Sequence, residues 1–355
     1  MLNLPKTIYS GAWNGGHCQG IALDRKNGWM YYSFTTLLVK TDLQGTVLGT
    51  VTGLTGHLGC LSFCEEDGLV YGSLEYKNDA IGRGILSHLG SAAQNPDAFY
   101  MVMFDGAKID RMDMDAARDG VMRAAYLKDV VDDYSAQVKT PDGKILEHRY
   151  GCSGIDGTAI GPMFGETGGE NVLTVAYGIY FDLQREDNDY QVLLCYSLAE
   201  LKETARPLSQ EDMHTSGPAP LRRLYAYTGN TTYGIQNLEY DPYSNTYLAA
   251  VYPGQKPQFP NLPMYAFDAS VPPVRHALKG VFPPEMGECV TLTGGESDDV
   301  SGISGWTYAH GDTGLIALGD GYYYVSYHGK KGELWDTTVR LCRWDGVHPL
   351  IPVGD

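Results

Sequence analysis

Positive charge is scarce in this 355-residue chain: 26 Lys and Arg stand against 43 Asp and Glu, a formal net charge of -17, and no basic block interrupts the acidic excess. Such a chain repels a phosphate backbone, which argues against nucleic acid as a partner. No 18 apolar residues run together, and the opening MLNLPKTIYSGAWNGG lacks a basic start, an apolar stretch and a small-residue cleavage site. The chain therefore reads as soluble and cytoplasmic, without a membrane partner. Its seven cysteines (Cys18, Cys60, Cys64, Cys152, Cys195, Cys289, Cys342) are odd in number and form no CxxC pair. That favours small apolar packing residues kept reduced over a disulfide frame or a zinc cage. A P-loop, a GxGxxG after a strand, a GxSxG elbow and an EF-hand loop are also missing. The alternating acids Asp110, Asp113 and Asp115 lack the glycine and distal glutamate of a calcium loop.

What is plentiful is strand and turn material: 43% apolar residues, 26 Tyr and 44 Gly. One residue, then Gly, then Ile or Cys recurs at Gly20, Gly59, Gly154, Gly234 and Gly302, each copy followed by aromatic, β-branched runs. Residues 18–52 hold four short runs, QGIALD, WMYYSFT, LLVKTDLQ and TVLGTVTG, separated by turns that include Asn27-Gly28 and Gln44-Gly45. Such a four-strand meander is one propeller blade, and blades of roughly 40 residues or more allow five, not seven, in this length. The expectation is an all-β, five-bladed β-propeller forming one domain over 1–355, with blades near 11–54, 55–148, 149–229, 230–298 and 299–355. An insertion at 78–96 interrupts the second blade, where Gly82 and Gly84 would permit hinge motion. Ser197 and Glu200 have capping-box spacing, which predicts a short helix over Leu198–Thr204. The fifth blade is expected to begin with ISGWTYAH, and KTIYS or HPLIPV to complete a blade from the opposite terminus, which would cover an open sheet edge.

The stretch GIALDRKNGWMYYSFTTLLVKTDLQG resembles a blade of the NHL or SMP-30-like β-propellers, in which an inner GIA-D strand precedes a turn and a W-Y-Y strand. The likeness covers about 35 residues and implies the fold. It also admits a lactonase-like, metal-dependent hydrolase; no residue role follows from it.

In a propeller, inner strands start and second strands end at one face. That places His17, Gln19, His57, Asp156, Tyr233, Gln236 and Ser304 together with Ser33, Glu75, Tyr76, Lys77, Tyr180, Asp182, Tyr252, Tyr327 and His328, a concave polar and aromatic mouth suited to a small molecule. His17, His57 and His328 could bind a divalent metal beside Glu75 or Asp156, or could simply hydrogen-bond loops and substrate hydroxyls. Glu75, Asp156 and Asp182 offer the paired carboxylates of glycoside hydrolysis, with Asp156 standing where the other copies carry Ala22, Leu61, Gln236 and Ser304. A His or Tyr base would instead allow elimination. Lys77, Arg83, Arg185, Lys256, Lys330 and Lys331 leave the second strands and could ring the mouth as a positive funnel for an acidic sugar. The leading expectation is a glycoside hydrolase or a polysaccharide or oligosaccharide lyase acting on a short, neutral or uronate-containing saccharide. His17, His57, Glu75, Asp156 and His328 would serve catalysis, and Lys77, Tyr180, Tyr233, Gln236, Tyr252 and Lys330 would bind substrate. The competing expectation is a non-catalytic propeller that binds a ligand or a protein.

Overall fold

The computed structural model describes residues 4–93, 96–166, 168–345 and 347–354. Alternating and continuous apolar runs become strands throughout, and the fold class is a five-bladed β-propeller. Contacts divide the chain into two compact units: 1–127, 201–218 and 313–355 form one, and 128–200 with 219–312 form the other.

The first unit contains three blades. Cys18–Asp24, Trp29–Phe34, Leu37–Asp42 and Val47–Thr52 build the first, and His57–Phe63, Leu69–Tyr76, Ala98–Asp105 and Met122–Tyr126 the second. The third of this unit, last in sequence, runs Leu315–Gly319, Tyr322–Lys331 and Leu334–Arg343. It is completed by the N-terminal strand Thr7–Trp13, antiparallel to Leu334–Arg343, while Ile351–Pro352 pairs with Cys342 and Arg343. The terminal strand thus covers the sheet edge foreseen from KTIYS. Two cores fill the unit, one around Tyr31, Leu58, Leu74 and Phe104, the other around Ile8, Ile21, Tyr32 and Tyr324.

The second unit contains two blades. Cys152–Gly161, Val172–Ile179, Tyr190–Ser197 and Arg222–Tyr227 form one, extended by Met286–Cys289 and Val274–Ala277. Thr231–Asp241, Thr246–Pro253 and Met264–Asp268 form the other. Its core gathers Ile235, Leu238, Tyr247, Tyr265 and Phe267.

Helices are few. Helix α1 (Ala80–His88) lies in the insertion of the second blade, whose Gln94 and Asn95 fall outside the described residues. Helix α2 is Lys128–Tyr134, and α3 is Leu198–Thr204, with the Glu200 amide donating to Ser197 Oγ as the capping spacing predicts. All seven cysteines are buried and unpaired to one another, and burial pushes the Cys18 thiol up to about 12.

The recurring glycine has two physical uses. A Cβ on Gly20 would come within 2.7 Å of the Leu61 amide, so glycine lets neighbouring inner strands approach. The strand also changes register beside the motif, between Cys18 and Gly20, Leu58 and Leu61, Ile155 and Thr158, and Thr232 and Ile235. A bulge re-aims the side chain it carries. The fifth copy departs from expectation. Gly302 closes a turn onto Asp298, Ser304–Gly305 pairs with Glu296–Ser297, and Trp306 bridges to Met264. The true inner strand follows Gly314, whose Cβ would stand 2.8 Å from the Ile21 amide. Thr313-Gly314-Leu315 carries Leu where the other copies carry Ile or Cys, which hid it.

Candidate functional site

In each unit, inner-strand starts and second-strand ends do share one end, as the register of His57 opposite Glu75 and of Thr232 opposite Tyr252 shows. Each unit carries its own polar group there.

In the second unit, the bulge between Ile155 and Thr158 presents Asp156, which is 8% exposed. Tyr252, at the end of the neighbouring blade's second strand, places its hydroxyl 3.5 Å from Asp312 Oδ2. Burial first, then the charges of Asp312 and Asp156, raise the Tyr252 phenol well above its ordinary value, so it stays protonated and able to donate. Tyr233 packs edge-on against Tyr252, with ring centroids 5.6 Å apart, yet remains 49% exposed. Its backbone has φ +65°, a conformation costly for a side-chain-bearing residue, and Gln236 Nε2 donates to its carbonyl at 3.2 Å. Asp156, Tyr233, Gln236, Tyr252 and Asp312 are thus linked through Tyr252 and Tyr233.

Tyr180 follows the strand Val172–Ile179, and its amide donates to the Gly151 carbonyl at 2.7 Å. Its ring packs against His148, centroids 4.9 Å apart, and His148 packs in turn on Tyr134 of α2 at 4.5 Å.

In the first unit, Glu75 and Lys77 are buried together, with the ammonium 2.5 Å from the carboxylate and 3.7 Å from Asp79. His57 Nδ1 lies 3.4 Å from Glu75 Oε1. Burial alone would raise the Glu75 carboxyl; Lys77 and His57 outweigh it and hold it below its ordinary value. These groups face a recess whose other wall is Ile81, Gly82, Ile85 and Leu86 of α1, with room for about one water. His17 and His328 form a separate group with Trp335: the imidazole centroids are 5.9 Å apart, and Trp335 lies 5.6 and 6.3 Å from them.

No family model and no curated protein matches this chain. Solved structures resemble it remotely. The GH43_1 enzyme from Xanthomonas citri complexed with xylose is 11% identical over 96% of this chain and 93% of its own, with a TM-score of 0.38. Regucalcin from Agrobacterium tumefaciens, a calcium-binding protein, is 10% identical over 98% of both chains at 0.37. The PQQ domain of pyranose dehydrogenase from Coprinopsis cinerea is 10% identical over 90% of this chain and 81% of its own at 0.35. Likenesses this remote transfer no residue role or activity.

Several of the histidines and bases singled out in the sequence have partners of their own. Among the described residues no group of three or more His, Cys, Asp or Glu side chains is arranged to hold a metal ion. His17 and His328 pack edge-to-face beside Trp335, whereas His57 faces Glu75. Lys77 is consumed by Glu75 and Asp79; Arg185 binds both Asp187 oxygens at 2.8 Å; Lys256 donates to the Arg185 carbonyl, to Asn188 Oδ1 and to Asp189 Oδ1. Buried bases need such partners, so these act as internal struts. Lys330 is exposed and lies over the Trp335 ring at 4.2 Å. Asp182 caps its own turn by accepting from the Gln184 amide.

Proposed function

We propose that this protein is a carbohydrate-active enzyme that cleaves glycosidic bonds of a short oligosaccharide, with Asp156 and Asp312 as its pair of carboxyl groups. The observation that carries this reading is Tyr252, a protonated phenol that donates to Asp312, feels the charge of Asp156 and abuts the exposed ring of Tyr233. Glycoside cleavage needs one carboxylic acid to protonate the leaving oxygen and a second carboxylate to activate water or attack the anomeric carbon. The Tyr252 hydroxyl orients Asp312 for that work, and an exposed aromatic face beside the carboxylates suits the apolar face of a sugar ring. The strained backbone that projects Tyr233 supports a role in ligand contact.

The test is a panel of neutral and uronate-containing oligosaccharides, read both for new reducing ends and for ultraviolet-absorbing unsaturated products. New reducing ends without unsaturation, with kcat/KM lowered roughly a hundredfold or more by Asp156→Asn and by Asp312→Asn, are expected. Unsaturated products would replace hydrolysis by elimination, and binding without turnover would make the protein a saccharide-binding propeller.

A further inference from the structure

The chain turns sharply before the strand Cys152–Gly161, and the turn is held in an unfavourable shape. His148 has φ +62° and ψ +98°, and Tyr150 has φ +56°, conformations that favour glycine. Arg185 fixes the turn by donating to the carbonyls of Glu147 and His148 while its remaining edge binds Asp187. Strain of this kind persists where surrounding contacts enforce it and where a side chain must be aimed. The side chain aimed here is an imidazole, half-buried between the rings of Tyr134 and Tyr180. Its Nδ1 meets the Tyr134 carbonyl oxygen, which accepts only, so in the neutral ring the proton sits on Nδ1 and Nε2 is the acceptor.

This group lies at the start of the strand that carries Asp156. Tyr180 is bonded to Gly151, and Asp156 lies five residues farther along that strand, roughly 13–16 Å at about 3.3 Å per residue with one bulge. Tyr233 stands between them: a Cβ on Gly234 would fall 2.4 Å from the Tyr177 carbonyl, and one on Gly178 would fall 3.5 Å from the Tyr233 carbonyl.

We infer that His148 and Tyr180 form a distal saccharide subsite, reached past Tyr233 from the Asp156–Tyr252–Asp312 group, so that the ligand is an oligosaccharide longer than a disaccharide. A sugar hydroxyl donates to His148 Nε2, and the ring lies against Tyr180. His148 is a binding residue in this scheme and takes no part in bond cleavage. The inference rests on the proposed reading for the location of the cleavage site, and on its own geometry for the subsite.

The experiment is an NMR titration of histidine-labelled protein with glucose, galacturonic acid and their di-, tri- and tetrasaccharides, with the His148 signals assigned by their loss in His148→Gln. Nitrogen shifts are expected to report a proton on Nδ1, and the His148 ring signals are expected to move with tri- or tetrasaccharide and not with monosaccharide. Loss of one hydrogen bond in His148→Gln is expected to weaken tetrasaccharide binding about tenfold. His148→Gly, which relieves the positive φ, should weaken it likewise without lowering the thermal midpoint. If tetrasaccharide is turned over, either variant should raise its KM and leave kcat in place. A proton on Nε2, no His148 shift with any member of both series, or an equal response to monosaccharide and tetrasaccharide would overturn the subsite. Oligosaccharide-dependent shifts without turnover would leave the subsite standing and sink the cleavage reading; turnover indifferent to both His148 variants would do the reverse.

Discussion

Lys77 and Glu75 show what burial does to a charged pair. Neither group could be left alone there, because an uncompensated buried charge costs about 3–5 kcal/mol. Lys77→Met, which keeps the chain length and removes the ammonium, is expected to destabilise the protein by about that amount in urea unfolding, and Lys77→Met with Glu75→Gln to recover much of it. Equal midpoints for wild type and Lys77→Met would show that the pair is not buried in solution. Because Glu75 is held below its ordinary 4.5, its contribution is present above that value and is lost on acidification. Asp189 behaves in the opposite sense. Burial outweighs the pull of Lys256 and lifts its carboxyl from 3.8 to about 6, so the folded chain holds this proton more tightly than the unfolded one. Stability contributed by that proton falls as pH rises from about 4 to about 6 and is level above. Asp189→Asn should remove that slope from a series of unfolding curves; an unchanged slope would contradict the assignment. Among the residues of the site, Asp156 was legible because it broke the pattern of its copies. Asp312 and His148 were not, since one follows an irregular loop and the other lies in a turn outside the repeated strands.

At the scale of elements, α1 illustrates a second use of glycine. Gly82 would permit hinge motion, and it also has a packing use: a Cβ there would lie 1.7 Å from the Lys77 carbonyl, so glycine allows the helix to seat on the strand end. The seat is reinforced by Asp79, which caps the helix by accepting from the Gly82 amide, and by the Asn78 amide donating to Asp97 Oδ1 at 2.7 Å. Gly82→Ala is expected to cost about 1–3 kcal/mol through overpacking. It should also speed hydrogen exchange at Lys77–Asp79. Gly84→Ala, which meets nothing, should be neutral or stabilise by about 0.5–1 kcal/mol. Equal effects of the two would argue for a mobile hinge. Most strands were legible, because turn pairs such as Asn27-Gly28 punctuate continuous aromatic and β-branched runs. The last inner strand was not. Leu315–Gly319 is short and begins with Leu, whereas ISGWTYAH offered a closer sequence match but bonds through Trp306 to Met264 instead.

For the whole molecule, five blades repeat one hydrogen-bonded plan, while the groups at the strand ends differ from blade to blade. Repetition made the plan readable, and the same repetition says nothing of chemistry, since a propeller carries its function in the residues that depart from it. The abundant acid of the chain is partly spent on its own buried bases, with Glu75, Asp187 and Asp189 holding Lys77, Arg185 and Lys256 as internal partners. No helix among the described residues is long and apolar enough to cross a membrane. The central claim is that Asp156 and Asp312 act as a pair on a glycosidic bond. It is tested most directly by kcat/KM of Asp312→Asn beside wild type on whichever oligosaccharide of the panel wild type cleaves, with the thermal midpoint confirming the fold. The account predicts a fall of roughly a hundredfold or more at an unchanged midpoint; turnover of Asp312→Asn at the wild-type rate, or no cleavage of any oligosaccharide by wild type, would contradict it.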